Sequence, residues 1–195
     1  MRSETAFSVR LAGVLPVGVE IHPLATHRDD RGSLTEVFRQ SWVAAPDPPI
    51  QWNCVTSEAG VLRGIHIHLG YFEYYVLLRG RTTIGYRDTR RGAPTEGATA
   101  LVDVSSEEGA PVAIAAPPGI AHGIYTHEPS VLLIGVTRYW DLGSELGCHW
   151  QDPALGIPWP FATARTSERD ASLPPLSRVM GRIPPFVAAA EPREA

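Results

Sequence analysis

The chain has 195 residues, a length typical of one domain built around a single core. Hydrophobic residues make up 44% of it and charged residues 19%, which excludes a disordered acidic or basic tail protein. The formal net charge is -4 and all 17 basic residues are arginines, so the composition argues against a nucleic-acid partner and excludes a lysine Schiff base or a P-loop lysine.

Short apolar stretches separated by 18 glycines and 18 prolines are typical of many short strands rather than long helices. In chain order, the predicted strands are Ser33–Arg39, Ile50–Thr56, Val61–Ile67, Tyr74–Leu78, Thr82–Arg87, Thr99–Val104, Val112–Ala115, Gly123–Thr126 and Val131–Tyr139. Residues 166–171 predict a short helix with Thr166 or Ser167 as its N-cap. This spacing favours a single all-β sandwich or barrel at residues 1–180, with a flexible tail at 181–195.

The first long apolar run, residues 11–19, contains Pro16 and is shorter than the roughly 20 residues that a membrane span needs. It also lacks the shape of a signal peptide, because Glu4 precedes it and no small-residue cleavage site follows. Cys54 and Cys148 match neither a disulfide framework nor a zinc pattern and are typical of free thiols in a reducing compartment. We therefore expect a cytoplasmic protein with no membrane partner.

Residue types that bind metals are concentrated in the segment 60–80. His66 and His68 are two positions apart on a predicted strand, so their side chains point to the same face. Glu73 opens the next strand, and His122 follows a Pro/Gly turn farther along the chain. Three imidazoles and one carboxylate inside a barrel suit a divalent transition metal such as Fe, Mn, Ni or Zn. The alternative is that these histidines are interior residues satisfied by hydrogen bonds.

The spacing of these residues resembles the motifs of the metal-binding cupins. The first cupin motif, a glycine followed by an H-x-H pair, a glutamate and a second glycine, is met at Gly60, His66, His68, Glu73 and Gly80. The second motif, P-x-G-x-x-H, is met at Pro117, Gly119 and His122. This resemblance implies a double-stranded β-helix, or jelly roll, with a metal ion inside it.

A second resemblance, to the dTDP-4-dehydrorhamnose 3,5-epimerase family, covers residues 29–176. It depends on short matching segments in the order of the family: Asp30-Arg31-Gly32, Gln51-x-Asn53, residues 61–66, Asp88-x-Arg90, residues 118–123, Tyr139 and residues 150–160. Members of this family are cupin-fold enzymes of sugar nucleotides and are usually homodimers. The resemblance therefore implies an all-β jelly-roll domain that forms a homodimer and binds a dTDP-sugar.

The same resemblance implies roles for individual residues. The catalytic base of the family corresponds to His66, and the aspartate that orients this base corresponds to Asp170. Contacts to the diphosphate and the thymidine fall on Arg31, Glu36, Gln51, Asn53, Arg63 and Tyr139. Arginine suits this role because its planar fork matches phosphate oxygens, and an aromatic ring can stack on the base.

The sequence departs from the family at the groups that transfer protons. Glu73 stands where the family has a catalytic lysine, and Ile134 stands where it has a tyrosine that acts as the general acid. These changes complete the four-ligand metal set described above. Tyr75, in step with Glu73 on its strand, is then our candidate for the catalytic group that replaces the tyrosine, and Tyr86 is a weaker candidate. Because a metal-bound imidazole is not a free base, His66 is either a ligand or the base, and the sequence leaves both uses open.

Three functions are compatible with these features. The first is an isomerase that epimerises a dTDP-4-keto-6-deoxy sugar through an enolate, with the metal in place of the cationic lysine. The second is an Fe-dependent oxygenase, or a lyase or cyclase, that acts on a natural-product intermediate. The third is a cupin that binds a small molecule without catalysis.

Overall fold

The structure is a computed structural model that describes residues 9–43, 45–106 and 111–188. The strands of these ranges are β1 Val9–Gly13, β2 Glu20–Pro23, β3 Thr26–Asp29, β4 Gly32–Thr35, β5 Gln51–Ser57, β6 Leu62–His68, β7 Glu73–Arg79, β8 Arg81–Asp88, β9 Thr99–Ser105, β10 Val112–Ala116, β11 Ile120–Thr126, β12 Ser130–Val136 and β13 Glu145–Gly147. Helical segments are short: α1 at Glu168–Ala171, and 3-10 turns at Gln40–Trp42, Leu142–Ser144, Pro153–Leu155, Leu176–Arg178 and Met180–Arg182. No helix of the described chain is long and apolar enough to cross a membrane.

The strands form two facing antiparallel sheets. One sheet has six strands in the order β1-β9-β8-β11-β6-β13, and the other has five in the order β2-β10-β7-β12-β5. The remaining two strands, β3 and β4, pair only with each other as a hairpin. This arrangement confirms the predicted all-β jelly-roll fold.

The main core lies between the two sheets, because alternate residues of each strand point inward. Tyr75 and Leu132 of the five-stranded sheet pack there with Ile84, Tyr86 and Val102 of the six-stranded sheet. Both layers thus contribute large side chains to one continuous core. The same interior holds the polar residues of the site described below.

Both sheets are also covered on their outer faces. Leu24 and residues 37–43 pack over the five-stranded sheet, and residues 146–183 pack over the six-stranded sheet around Ile65 and Ile67. Because β6 directs Ile65 and Ile67 outward, the alternate residue His66 faces the interior. The C-terminal covering segment lies next to this strand and supplies a second set of functional side chains.

Part of the predicted flexible tail packs against the domain. Ile183 is buried in the outer cluster, and the N–H of Phe186 donates to the carbonyl of Arg91 at 2.9 Å. The Phe186 ring also lies 5.0 Å from the guanidinium of Arg90. Residues 189–195, the end of the predicted tail, lie outside the described residues.

A buried ion pair ties the end of β8 to the loops that cover it. Asp88 and Arg90, with side chains 0% and 8% exposed, are joined by an Oδ2–Nη2 distance of 2.7 Å. The hydroxyl of Thr95 donates to the same Oδ2 at 2.7 Å, and Arg90 also donates to the carbonyl of Val17 at 2.7 Å. Burial alone raises the pKa of Asp88, but the hydrogen bonds from Arg90 and Thr95 outweigh it and hold the pKa below the usual 3.8.

We expect Asp88→Asn to lower the free energy of unfolding by about 3–5 kcal/mol at neutral pH, because it leaves the Arg90 charge buried and unpaired. Since the pKa of Asp88 is lower in the folded than in the unfolded state, its stabilisation is fully present above pH 3.8 and is lost as the pH falls through the folded-state pKa. Denaturant unfolding at neutral and acidic pH measures both effects. Asp29→Asn is the matched control, because Asp29 pairs with Arg31 at the same spacing on the surface. An equal loss of unfolding free energy in both variants would show that burial of the Asp88–Arg90 pair does not matter.

Candidate active site

A cavity of about 460 Å³ opens between the two sheets. It is lined by side chains from both sheets and from the C-terminal segment, including Asn53, Arg63, His66, Glu73, Tyr75, His122, Ile134, Trp140, Glu145, Arg165, Arg169 and Asp170. All three predicted catalytic residues, His66, Tyr75 and Asp170, are among them.

The predicted base and its partner are in contact. The Nε2 atom of His66 lies 3.0 Å from Oδ1 of Asp170, although the two residues are far apart in the chain. Burial alone raises the pKa of Asp170, but the hydrogen bond and charge of His66 and the N–H of Gly64 outweigh it, so its pKa is lowered. An ionised carboxylate accepts the Nε2 proton of a neutral imidazole, which leaves Nδ1 of His66 as the basic atom.

Local backbone features hold this pair in place. Ser167 is the N-cap of α1, and its hydroxyl accepts from the N–H of Asp170 at 3.0 Å, as the sequence predicted for this turn. The N–H of Gly64 donates to Oδ2 of Asp170 at 3.2 Å. Gly64 has a φ of +127°, and a Cβ atom there would lie 2.7 Å from Cα of Gly123. Only glycine therefore fits where β6 passes this close to β11.

Three of the four predicted metal ligands meet in the barrel interior. The Nε2 atoms of His68 and His122 lie 2.7 and 2.9 Å from Oε2 of Glu73. Each of the three residues offers a ligand atom within 4.8 Å of the other two. All three are buried, and neither ring nitrogen of His68 is aligned for a hydrogen bond with any residue that the structure describes. Two imidazoles and one carboxylate are a common donor set for divalent transition metals.

His66 does not join this cluster, which corrects the predicted four-ligand set. Its Nε2 contacts Asp170 instead. Residues two apart on a strand share a face but are displaced by about 6–7 Å along it, so the rings of His66 and His68 reach different partners.

The charges of the cluster are coupled. Burial alone raises the pKa of Glu73, but the charges of His68 and His122 outweigh burial and hold the Glu73 pKa well below its usual range. Burial alone lowers the pKa of His122, whereas the Glu73 charge raises it by more. Glu73 is therefore an ionised carboxylate at a buried position.

Tyr75 lies on the wall opposite His66. It belongs to β7 of the five-stranded sheet, whereas His66 belongs to β6 of the six-stranded sheet. Its hydroxyl donates to Oε2 of Glu73, and burial together with the Glu73 charge raises the pKa of Tyr75 well above its usual range. Across the sheet Tyr75 is directly opposite Ile134, the position where the resemblance expected a tyrosine. A tyrosine hydroxyl is thus present on β7, next to the position on β12 where the family has its tyrosine.

Four of the predicted substrate contacts lie on β5, on β6 and just after β12. Asn53 and Arg63 line the cavity. Gln51 donates to Asn53 at 3.1 Å and accepts from the backbone N–H of Trp140 at 2.9 Å, so it lies beside the cavity. Tyr139 is 73% exposed and does not line it, whereas its neighbour Trp140 does.

The other two predicted contacts lie away from the cavity. Arg31 is in the turn of the exposed β3–β4 hairpin, where it pairs with Asp29 at 2.6 Å. Glu36 follows β4 and pairs with Arg39 at 2.5 Å. Neither residue lines the cavity of its own chain. Because the hairpin belongs to neither of the two main sheets, its side chains lie apart from the cavity between those sheets.

Sequence reasoning missed three charged cavity residues of the C-terminal part of the chain, Glu145, Arg165 and Arg169. Glu145 is buried, accepts from the indole N–H of Trp140 at 3.1 Å and forms an ion pair with Arg169. Arg165 lines the same cavity. No motif marks these positions, and the only available signals were the proximity of Trp140 to Tyr139 and of Arg169 to Asp170.

Comparisons with known proteins agree with this arrangement. The family model for dTDP-4-dehydrorhamnose 3,5-epimerase matches residues 15–178. A relative of that name from Sinorhizobium fredii is 35% identical over 157 residues, which cover 76% of this chain and 80% of the relative. A dTDP-4-dehydro-6-deoxyglucose 3-epimerase of Streptomyces bikiniensis is 32% identical over 179 residues, which cover 87% of this chain and 91% of the relative.

Solved structures give the same result. An epimerase from Legionella pneumophila, in complex with dTDP-4-keto-L-rhamnose, superposes with a TM-score of 0.81 at 26% identity, over 92% of this chain and 100% of the other. An epimerase from Mycobacterium tuberculosis also has a TM-score of 0.81, at 25% identity, over 91% of this chain and 94% of the other. The family match over most of the chain, the fold and the His66–Asp170 pair lead to one conclusion: the chain belongs to the dTDP-4-dehydrorhamnose 3,5-epimerase family.

Proposed function

We propose that this chain is an isomerase that epimerises a dTDP-4-keto-6-deoxy sugar. The observation that carries the proposal is the His66–Asp170 pair, joined at 3.0 Å on the wall of the cavity. A neutral imidazole held by a carboxylate is suited to remove a proton from carbon. The substrate class is supported by relatives that are named as epimerases of such dTDP-sugars.

The proposed reaction uses two groups on opposite walls of the cavity, His66 and Tyr75. Nδ1 of His66 takes the proton from the carbon next to the C-4 carbonyl, and the electron pair of that C–H bond forms an enolate. Tyr75, on the opposite wall, returns a proton to the other face of the same carbon, where the enolate electron pair forms the new C–H bond. The carbon is thereby inverted, and exchange with solvent restores both groups.

Incubation of the purified protein with dTDP-4-keto-6-deoxyglucose tests the activity. We expect proton NMR to show a product epimerised at a carbon next to the carbonyl. An unchanged spectrum, both without added metal and after addition of divalent metal salts, would reject the proposed function.

Tyr75→Phe is expected to lower turnover by about 10²- to 10⁴-fold, because the hydroxyl that returns the proton is removed. Its Kd for dTDP should stay unchanged, since the nucleotide is bound elsewhere in the cavity. Tyr86→Phe is the matched control, because Tyr86 is buried in the same barrel but does not line the cavity. Steady-state kinetics compare the two variants, and equal turnover would contradict the role of Tyr75.

We also propose that His68, Glu73 and His122 hold a divalent transition metal of the class Fe, Mn, Ni or Zn. The unaligned, buried ring nitrogens of His68 fit this role. The Nδ1 of His122 lies 3.1 Å from the carbonyl of Ile120, which leaves Nε2 directed at the cluster. When bound, the cation supplies positive charge near the substrate carbonyl, where the sequence lacks the lysine of the family.

Metal content and thermal unfolding test this site independently of activity. We expect protein incubated with each metal salt and then desalted to retain about one equivalent of at least one metal and to melt at a higher temperature. His68→Ala should lose both effects, whereas His127→Ala, which changes a histidine outside the cluster, should keep them. Wild-type protein that stays metal-free with all four salts would contradict the proposal.

The proposed contacts to the nucleotide lie near the first residues of β5 and β6. We propose that Gln51, Asn53 and Arg63 bind the dTDP part of the substrate, because they lie in or beside the cavity. Tyr139, with its exposed ring, is proposed to stack on the thymine base at the rim of the cavity.

Both cysteines are free thiols, which supports our proposal that the reaction takes place in the cytoplasm.

We propose a homodimer, because two of the predicted contacts lie away from the cavity of their own chain. The β3–β4 hairpin forms its own sheet and leaves Leu34 67% exposed. We propose that the hairpin of one chain packs at the cavity of its partner, which buries Leu34 and brings Arg31 and Glu36 to the substrate there.

Mixing two inactive variants tests this dimer. Arg31→Ala removes a contact given to the partner, and His66→Asn removes the base of a chain's own cavity. After the two are unfolded and refolded together, about half of the dimers are mixed, and each mixed dimer has one intact site of two. We therefore expect about a quarter of wild-type activity to return. No recovery, or a monomer in analytical ultracentrifugation, would contradict the shared site.

A further inference from the structure

The cavity carries much negative charge for a site that binds a nucleotide. Glu73, Glu145 and Asp170 all line it. The diphosphate of the proposed substrate adds further negative charge. Like charges in a partly buried site repel strongly, because the local dielectric constant is lower than that of water. Binding therefore requires cationic side chains that are not already neutralised by the protein.

Three arginines line this cavity, and their partners differ. Arg169 is ion-paired with Glu145. Arg63 donates to the hydroxyl of Ser57 at 2.9 Å and to a backbone carbonyl at 3.0 Å, so its charge is not cancelled. The guanidinium of Arg165 has neither a hydrogen bond nor an ion pair within the described part of the chain. Arg165 is thus the cavity arginine whose fork is entirely available.

The backbone of Arg165 is held firmly beside β6. Its N–H donates to the carbonyl of Gly60 at 2.8 Å, and its own carbonyl accepts from the N–H of Leu62 at 2.9 Å. These bonds form a parallel bridge between Arg165 and Val61. Arg63 follows Val61 by two residues, on β6, and its side chain also lines the cavity.

We propose that Arg165, together with Arg63, binds the diphosphate of the substrate. The proposal rests on the proposed function for the identity of the ligand, but the binding site itself is defined by the free charge. The planar guanidinium matches two phosphate oxygens at once, and its fixed backbone reduces the entropy lost when the nucleotide binds.

Calorimetric titration of the full-length protein with dTDP and with thymidine tests this site. Arg165→Ala should raise the Kd for dTDP by about 10- to 100-fold and leave thymidine binding unchanged, because only dTDP carries the diphosphate. The Kd of Arg165→Lys for dTDP should lie between those of the wild type and of Arg165→Ala, since lysine keeps the charge and lacks the planar guanidinium. Arg178→Ala is the matched control, because Arg178 is exposed on the same C-terminal segment and does not line the cavity.

The possible outcomes separate this proposal from the epimerase activity. If Arg165→Ala binds dTDP as tightly as the wild type, the role of Arg165 is overturned, even where the wild type epimerises the sugar. If Arg165→Ala weakens dTDP binding selectively but the wild type does not epimerise the sugar, the diphosphate site is supported and the proposed activity fails.

Discussion

Replacement of His66 by asparagine is expected to lower the rate of epimerisation by about 10²- to 10⁴-fold. Asparagine keeps a polar planar group of similar size, but it has no basic nitrogen to accept a proton from carbon. The His66 side chain is 20% exposed, and the Asp170 carboxylate that it contacts keeps the hydrogen bond from the N–H of Gly64 when the imidazole is removed. The free energy of unfolding should therefore change little while turnover falls.

His127→Asn is the control for this variant. His127 lies on the other side of the six-stranded sheet, where it contacts the hydroxyl of Thr83 at 2.7 Å, and it does not line the cavity. Its turnover should equal that of the wild type. A His66→Asn protein that is as active as His127→Asn would rule out His66 as the base.

Asp170→Asn is expected to lower turnover by about 10²-fold or more, with the Kd for dTDP unchanged. The carboxylate accepts the proton on Nε2 of His66 and stabilises the imidazolium that forms during the reaction. The amide group of asparagine can donate to Nε2 instead, which places the ring proton on Nδ1 and removes the basic atom. The amide oxygen still accepts from Gly64, so the local fold is retained.

The pH dependence of Asp170→Asn distinguishes this role from a structural one. Because the pKa of Asp170 lies below its usual value, the carboxylate of the wild type stays ionised at neutral and mildly acidic pH. Replacement by an amide removes this titrating charge, so the acidic limb of the rate profile should move in the variant. Asp103→Asn, on the outer face beside His127, should leave the profile unchanged. A profile that does not move in Asp170→Asn would contradict the pairing.

Much of the sheet was predictable because buried strands carry a strong local pattern. β8, for example, was predicted as Thr82–Arg87 and is Arg81–Asp88. The weaker cases lack a long buried pattern: β4 has no buried residue and ends at Thr35 instead of Arg39, and β1, β2, β3 and β13 were not predicted at all. β13 has only three residues and forms because β6 offers it a partner, which is a contact between distant segments.

The residues of the site could be predicted where they belong to sequence motifs. They could not be predicted where only contacts between distant segments bring them to the cavity. The sequence pointed to the His66–Asp170 pair through a family resemblance, and to His68, Glu73 and His122 through motif spacing. It could not show that His66 turns away from the cluster, because that depends on where α1 places Asp170. Glu145 likewise reaches the cavity only through β13.

Solvent deuterium uptake by dTDP-4-keto-6-deoxyglucose tests the role of His66 as the base most directly, because it reports removal of the proton from carbon whether or not the product accumulates. We expect the wild type to place deuterium on a carbon next to the carbonyl, and His66→Asn at the same concentration to place almost none there. No uptake by the wild type, with or without divalent metals, or equal uptake by His66→Asn, would contradict this mechanism.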